Sequence, residues 1–201
     1  MGQIVFRVDC LDFEKGCWRV IRVGEGLDLL RLSYAVLASF DADGSHMLEM
    51  RSSKDRFVMF GEDLEEGGGG LVIGRGLPEE GFEAFLLEET TVGEAAEEGE
   101  TLKLLYDFSA GHEFLFTVLS RDGEGGGEGF QILDGEGRGI LEETGREAER
   151  RAMDARLSGQ GCILKDALGA PWDPLDAKDG LDTGAVLARA AKMTADFYVE
   201  D

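Results

Sequence analysis

His46 and His112 are the whole histidine complement of this 201-residue chain. With a carboxylate such as Asp107 they supply imidazole and carboxylate donors, the chemistry of a transition-metal site. The spacing does not single one out, since neither HxxH nor HExxH occurs. Spacing alone therefore predicts packed or surface histidines, with no bound metal and no cofactor. Two copies of D-G-E-G, at 122–125 and 134–137, also present carboxylates. An EF-hand needs acids at alternate positions and a distal glutamate, which neither copy has, so solvated turns are expected. The run Gly67 to Gly70 lacks the Lys-Ser/Thr that follows a phosphate-binding loop. No GxSxG elbow is present and no Ser-His-Asp spacing can be read, so no catalytic residue is assigned. Cys10, Cys17 and Cys162 are odd in number and form no CxxC pair, which predicts reduced thiols in a cytoplasmic protein. Trp18 reads as a core or interface anchor.

Charge narrows the partners. Forty-two acids against 20 bases give a net charge of −22, which repels phosphate backbones and anionic lipid. Arg146, Arg150, Arg151 and Arg156 are the best basic cluster, but Glu147, Glu149 and Asp154 interrupt it, as on a solvated helix face. Nucleic-acid binding is not expected; a basic protein partner is. No apolar run approaches the ~20 residues of a membrane span. The N-terminus lacks the basic and apolar regions of a signal peptide. Oligomeric state is left open.

The elements that position these groups follow from hydrophobic period. Residues 3–9 and 18–23 alternate as two strands of a hairpin closed by 11–16. Leu29, Leu30, Val36, Leu37 and Phe40 form one helical stripe, stopped by Asp41 to Gly44 with Gly44 as its left-handed cap. Short strands are expected over 46–50, 56–60 and 82–87. Residues 62–100 carry thirteen acids and one base, Arg75. Loops near 61–70 and 122–129 read as flexible. Thr90 or Thr91 caps a short helix over 92–98. Residues 101–108 and 114–119 are the strongest strands, joined by a turn at 109–111. A strand over 130–133, a helix over 141–157 and a final helix capped by Thr183 complete the chain. Hairpin-like pairing predicts one α+β domain over 1–201, with a mainly antiparallel sheet covered by an N-terminal helix and C-terminal helices.

The landmarks, in order, resemble the plasmid pRiA4b ORF-three-like family, whose members are often found beside transposon genes. Its iWRrI strand resembles residues 17–23, its HLYeF strand residues 46–50, its YDFGDxWxH motif residues 106–114 and its DGegaaPPEDcGG stretch residues 134–145. The final helix and the Asp173-Pro174 region resemble its tail. The weakest match covers residues 61–100. The family's Gly-Asp becomes Ser109-Ala110, its Trp becomes His112, its His becomes Phe114 and its Pro-Pro becomes Ile140-Leu141. Its Asp and Cys become Glu143 and Thr144. The resemblance implies binding residues at Trp18, Arg19, His46, Tyr106, Asp107, His112, Glu142 and Glu143. With several polar motif positions replaced, it implies a non-catalytic interaction or accessory module linked to mobile elements. The alternative is a metal-binding or hydrolase-like protein with a cleft at His46, Asp107, His112, Glu142 and Glu143. Convergence of those side chains would favour the alternative.

Overall fold

The computed structural model describes residues 2–59, 83–96, 99–123, 129–142, 144, 146–161, 164–165 and 169–198. The Gly67 to Gly70 run, most of the 122–129 loop, Cys162 and Glu143 lie outside the described residues.

The chain opens with the expected hairpin, β1 (Gln3–Cys10) and β2 (Trp18–Gly24). In β1, Ile4, Phe6, Val8 and Cys10 are buried, while Gln3, Val5, Arg7 and Asp9 are half-buried. That alternation is what a sheet with one packed face requires. In β2 the packed face is Arg19, Ile21 and Val23. Helix α1 (Leu29–Ser39) starts at Asp28, whose side chain accepts from the Arg31 backbone N–H at 2.8 Å. All its residues except Arg31 are buried. The left-handed residue that ends it is Asp41 (φ 63°), not Gly44. Arg138 and Arg189 hold the Asp41 carboxylate at 2.6 and 2.9 Å, which fixes a conformation that Asp tolerates better than most residues. Gly44 (φ +77°) serves the following turn, where a Cβ would lie 2.7 Å from Met193.

Then come β3 (Leu48–Arg51), β4 (Asp55–Val58), β5 (Glu83–Leu86) and the short helix α2 (Val92–Ala95), with Thr91 and Glu94 forming a capping box. The aliphatic and aromatic runs form β6 (Thr101–Tyr106) and β7 (His112–Asp122), and β8 (Phe130–Glu136) follows. Helix α3 (Arg146–Leu157) begins five residues later than expected. Next are β9 (Leu164–Lys165), β10 (Pro171–Trp172), α4 (Lys178–Leu181) and α5 (Thr183–Phe197). Asp182 caps α5 by accepting from the Ala185 N–H, whereas the Thr183 hydroxyl accepts from the Ile132 N–H of β8.

The fold is α+β. Among the described residues, eight strands form one sheet in the order β5-β4-β3-β6-β7-β1-β2-β8, antiparallel except for β4–β5. Helix α5 packs on α1, and buried apolar residues from the central strands, α1 and α5 share one core. No helix among the described residues is long and apolar enough to cross a membrane.

Candidate functional site

The β6–β7 hairpin fixes the centre of the site. Its register pairs Tyr106 directly with His112, and both point to the packed face. Cross-strand partners on one face lie close, and their rings stack with centroids 6.3 Å apart and an interplanar angle of 25°. Asp107 follows Tyr106 with φ 50°, the left-handed geometry that turns the chain toward Ser109 and Gly111.

Two segments from elsewhere close over Tyr106. The first is the loop after α1, which carries Asp43, Gly44 and His46. The second is the loop after β8, which carries Glu142. It is tied to the end of α1 by the Ile140 N–H on Phe40 O at 2.9 Å. The Tyr106 hydroxyl lies 2.9 Å from Glu142 Oε1 and 3.1 Å from Asp43 Oδ1, and it accepts from the Gly44 N–H at 3.1 Å. Burial, then the two carboxylates, push the Tyr106 phenol far above its ordinary value, so it stays a donor. Burial and the neighbouring Asp43 carboxylate raise Glu142, against the hydrogen bonds it accepts. For Asp43 and Asp107, burial acts upward but is outweighed. Hydrogen bonds from Ser45, and from Ser109 and Ala110, together with the charge of His46, hold both carboxyls below their ordinary range.

Around His46 the free valences converge. Asp107 Oδ1 is saturated by the Ser109 N–H, the Ser109 hydroxyl and the Ala110 N–H at 3.0, 2.6 and 3.2 Å. Its other oxygen, Oδ2, lies 3.9 Å from His46 Nε2. Glu142 Oε1 is likewise taken by Tyr106 and by the Asp43 N–H at 3.2 Å, and Oε2 lies 4.0 Å from His46 Nε2. One donor atom from each of the three side chains lies within 4.8 Å of the others. The His46 side chain is 37% exposed, so this group is open to solvent.

A second group lies behind Tyr106, in the core. His112 Nδ1 is 2.5 Å from Asp12 Oδ2 in the β1–β2 loop. Arg146, the first residue of α3, places Nε 2.6 Å from Asp12 Oδ1, an ion-pair contact not aligned as a hydrogen bond. Glu149, one turn along α3, accepts from the Leu141 N–H. Burial would lower the His112 pKa, but the hydrogen bond and charge of Asp12, with Glu149 and Glu142, raise it. Burial pushes Glu149 up to about 7.

Of the eight residues expected from sequence, His46, Tyr106, Asp107, His112 and Glu142 meet here; Glu143 lies outside the described residues. Trp18 and Arg19 do not join them. Trp18 stacks under Arg7 and donates to Glu136 Oε2 at 3.1 Å. Arg19 is fully buried, and its guanidinium donates to the carbonyls of Trp18, Ser39, Glu136 and Arg138. It is a structural clamp. The α3 arginines form no basic face: Arg146 and Arg150 reach Asp12, Arg151 pairs with Glu147, and Arg156 with Asp173.

Sequence reasoning missed Asp12, Asp43 and Glu149 as members. Only Glu149 left a signal: it lies three and four residues before Ala152 and Met153, a carboxylate on the buried stripe of α3.

No family model and no curated protein matches this chain. Its structure is similar to that of MM3350, a protein of unknown function from Methanosarcina mazei Go1. The TM-score is 0.58 and the identity 15%, over 77% of this chain and 81% of that one. At that identity the likeness is one of fold.

Proposed function

We propose that the chain is a metal-binding protein whose divalent transition-metal centre is His46, Asp107 and Glu142, open to solvent and suited to activating water for hydrolysis. The observation that carries this reading is the division of labour at each carboxylate. One oxygen is held by protein donors, and the other faces His46 with no hydrogen-bond donor of its own among the described residues. Metal sites are built this way, with outer hydrogen bonds orienting the ligating atoms. A tetrahedral ion with bonds of ~2.0–2.1 Å separates its ligand atoms by about 3.4 Å. Side-chain rotations would close His46 onto the two carboxylates from 3.9 and 4.0 Å. The motif resemblance supports the same group, because His46, Tyr106, Asp107 and Glu142 all stand at retained motif positions. Three protein ligands leave a coordination position for water, whose pKa a bound zinc lowers toward ~7.

Elemental mass spectrometry of protein purified without chelator tests this. Wild type is expected to carry one metal equivalent more than His46→Ala and Asp107→Asn. Equal metal content in all three would overturn it.

A second reading, docking of a basic protein, is supported by the −22 charge. The free thiols Cys10 and Cys17 support a reducing, cytoplasmic setting.

A further inference from the structure

The buried group behind Tyr106 has a feature that hydrogen bonding within the protein leaves unexplained. Asp12 and Glu149 are fully buried and His112 is 3% exposed. They come from three separate elements: the β1–β2 loop, the first residue of β7 and α3. Even so, one ligand-type atom from each lies within 4.8 Å of the others. Glu149 uses Oε1 to accept from Leu141, while Oε2 is buried with no hydrogen-bond partner among the described residues. An orphaned carboxylate oxygen in the interior is costly, and in folded proteins it points to an ion or a water that completes it.

The geometry points to a second metal site, buried and distinct from the His46 centre, in which Asp12, His112 and Glu149 bind a divalent cation of the zinc or cobalt type. One imidazole and two carboxylates are a nitrogen–oxygen donor set, which suits these ions better than Ca²⁺ or Mg²⁺. The cation takes the place of the proton between His112 Nδ1 and Asp12 Oδ2, and that proton leaves to solvent, as metal binding to imidazole requires. Charge balance is workable. A divalent ion with the Arg146 guanidinium and two carboxylates sums to +1 (2 + 1 − 2), and Glu142 and Asp43 lie on the other side of Tyr106 to offset it. His112 stands where the resembled family has Trp, so the site belongs to this chain's own sequence.

The test is metal stoichiometry after saturation with Zn²⁺ and desalting, compared among wild type, Glu149→Gln and His46→Ala. Two equivalents in wild type and one in each variant are expected. Loss of one equivalent in Glu149→Gln but none in His46→Ala would keep the buried site while removing the exposed one. Equal zinc in wild type and Glu149→Gln would overturn the buried site, whatever His46→Ala does. Anomalous diffraction at the zinc edge from wild-type crystals decides the matter without a variant. A peak between Asp12, His112 and Glu149 supports the site, and its absence overturns it.

Discussion

Single side chains set how well each cluster is held. Tyr106 is not one of the proposed ligands, yet its hydroxyl fixes the Glu142 carboxylate. Tyr106→Phe keeps the ring that stacks on His112 and removes the hydroxyl's contacts with Glu142, Asp43 and the Gly44 N–H. Loss of such an outer contact weakens metal affinity by roughly 10–100-fold. Competition with a chromophoric chelator should read that drop for the His46 centre, and an unchanged affinity would show that Glu142 needs no such support. Glu149 gives a pH prediction. Its folded value of about 7, raised mainly by burial, stands above the ordinary 4.5. Between those values the folded protein holds a proton that the unfolded chain has released. This contribution to stability is full below pH 4.5 and is lost as pH rises toward 7. His112, also raised, acts in the same direction. In chelator, urea unfolding of wild type should lose about 2 kcal/mol more than Glu149→Gln between pH 5.5 and 8. Parallel pH profiles would show that Glu149 does not titrate in this window.

At the scale of elements, the site depends on loops pinned to one another rather than on the strands alone. Arg19 joins β2, the end of β8, the loop at Arg138 and the last turn of α1. Its guanidinium also lies 4.4 Å from the Phe40 ring centroid. Arg19→Leu would leave four carbonyls short of donors and is expected to cost on the order of 3 kcal/mol, read by urea unfolding. Because Ile140 and Glu142 hang from this junction, the same variant should also weaken metal binding at His46. A stable variant with intact metal binding would contradict the clamp. The sequence exposed most of the elements because their signals are local. Alternation marked β1, β2, β6 and β7, and the period of 3.6 marked α1 and α5. Caps were harder: Gly44 and Thr183 were chosen by residue type, but Asp41 and Asp182 hold those positions through partners distant in sequence or one turn away. Of the site, Tyr106, Asp107 and His112 sit on one hairpin, whereas His46 and Glu142 were legible through the motif resemblance and not through spacing. Asp12 lies 100 residues from His112, and no periodicity reports a contact of that range. Arg19 read as a binding residue because it stands at a motif position of the resembled family. Here its carbonyl partners, all outside β2 except Trp18, make burial tolerable.

Charge acts on the molecule as a whole. Forty-two acids and 20 bases are confined to one fold. Folding brings the excess carboxylates closer than they are in an open chain, so self-repulsion works against the native state. Salt weakens that repulsion: the Debye length falls from ~30 Å at 0.01 M to ~8 Å at 0.15 M. Salt also weakens attractive pairs, but the exposed ones are worth little. Arg151–Glu147, with side chains 77% and 67% exposed, belongs to a class contributing roughly 0–1 kcal/mol. The contact at the buried Asp12 and the half-buried ones at Asp41 are screened less. Relief of repulsion should therefore win, and the melting temperature at pH 7.5 should rise by roughly 2–6 °C from 10 to 200 mM NaCl, equivalent to about 1–2 kcal/mol. KCl should give the same rise, since the effect is one of ionic strength. At pH 5.5, nearer the sequence pI of about 4.3, the rise should shrink. A melting temperature that falls with NaCl at pH 7.5 would mean that ion pairs, not repulsion, dominate the electrostatics. The acidic field would then be neutralised within the fold and have little left to draw a basic partner.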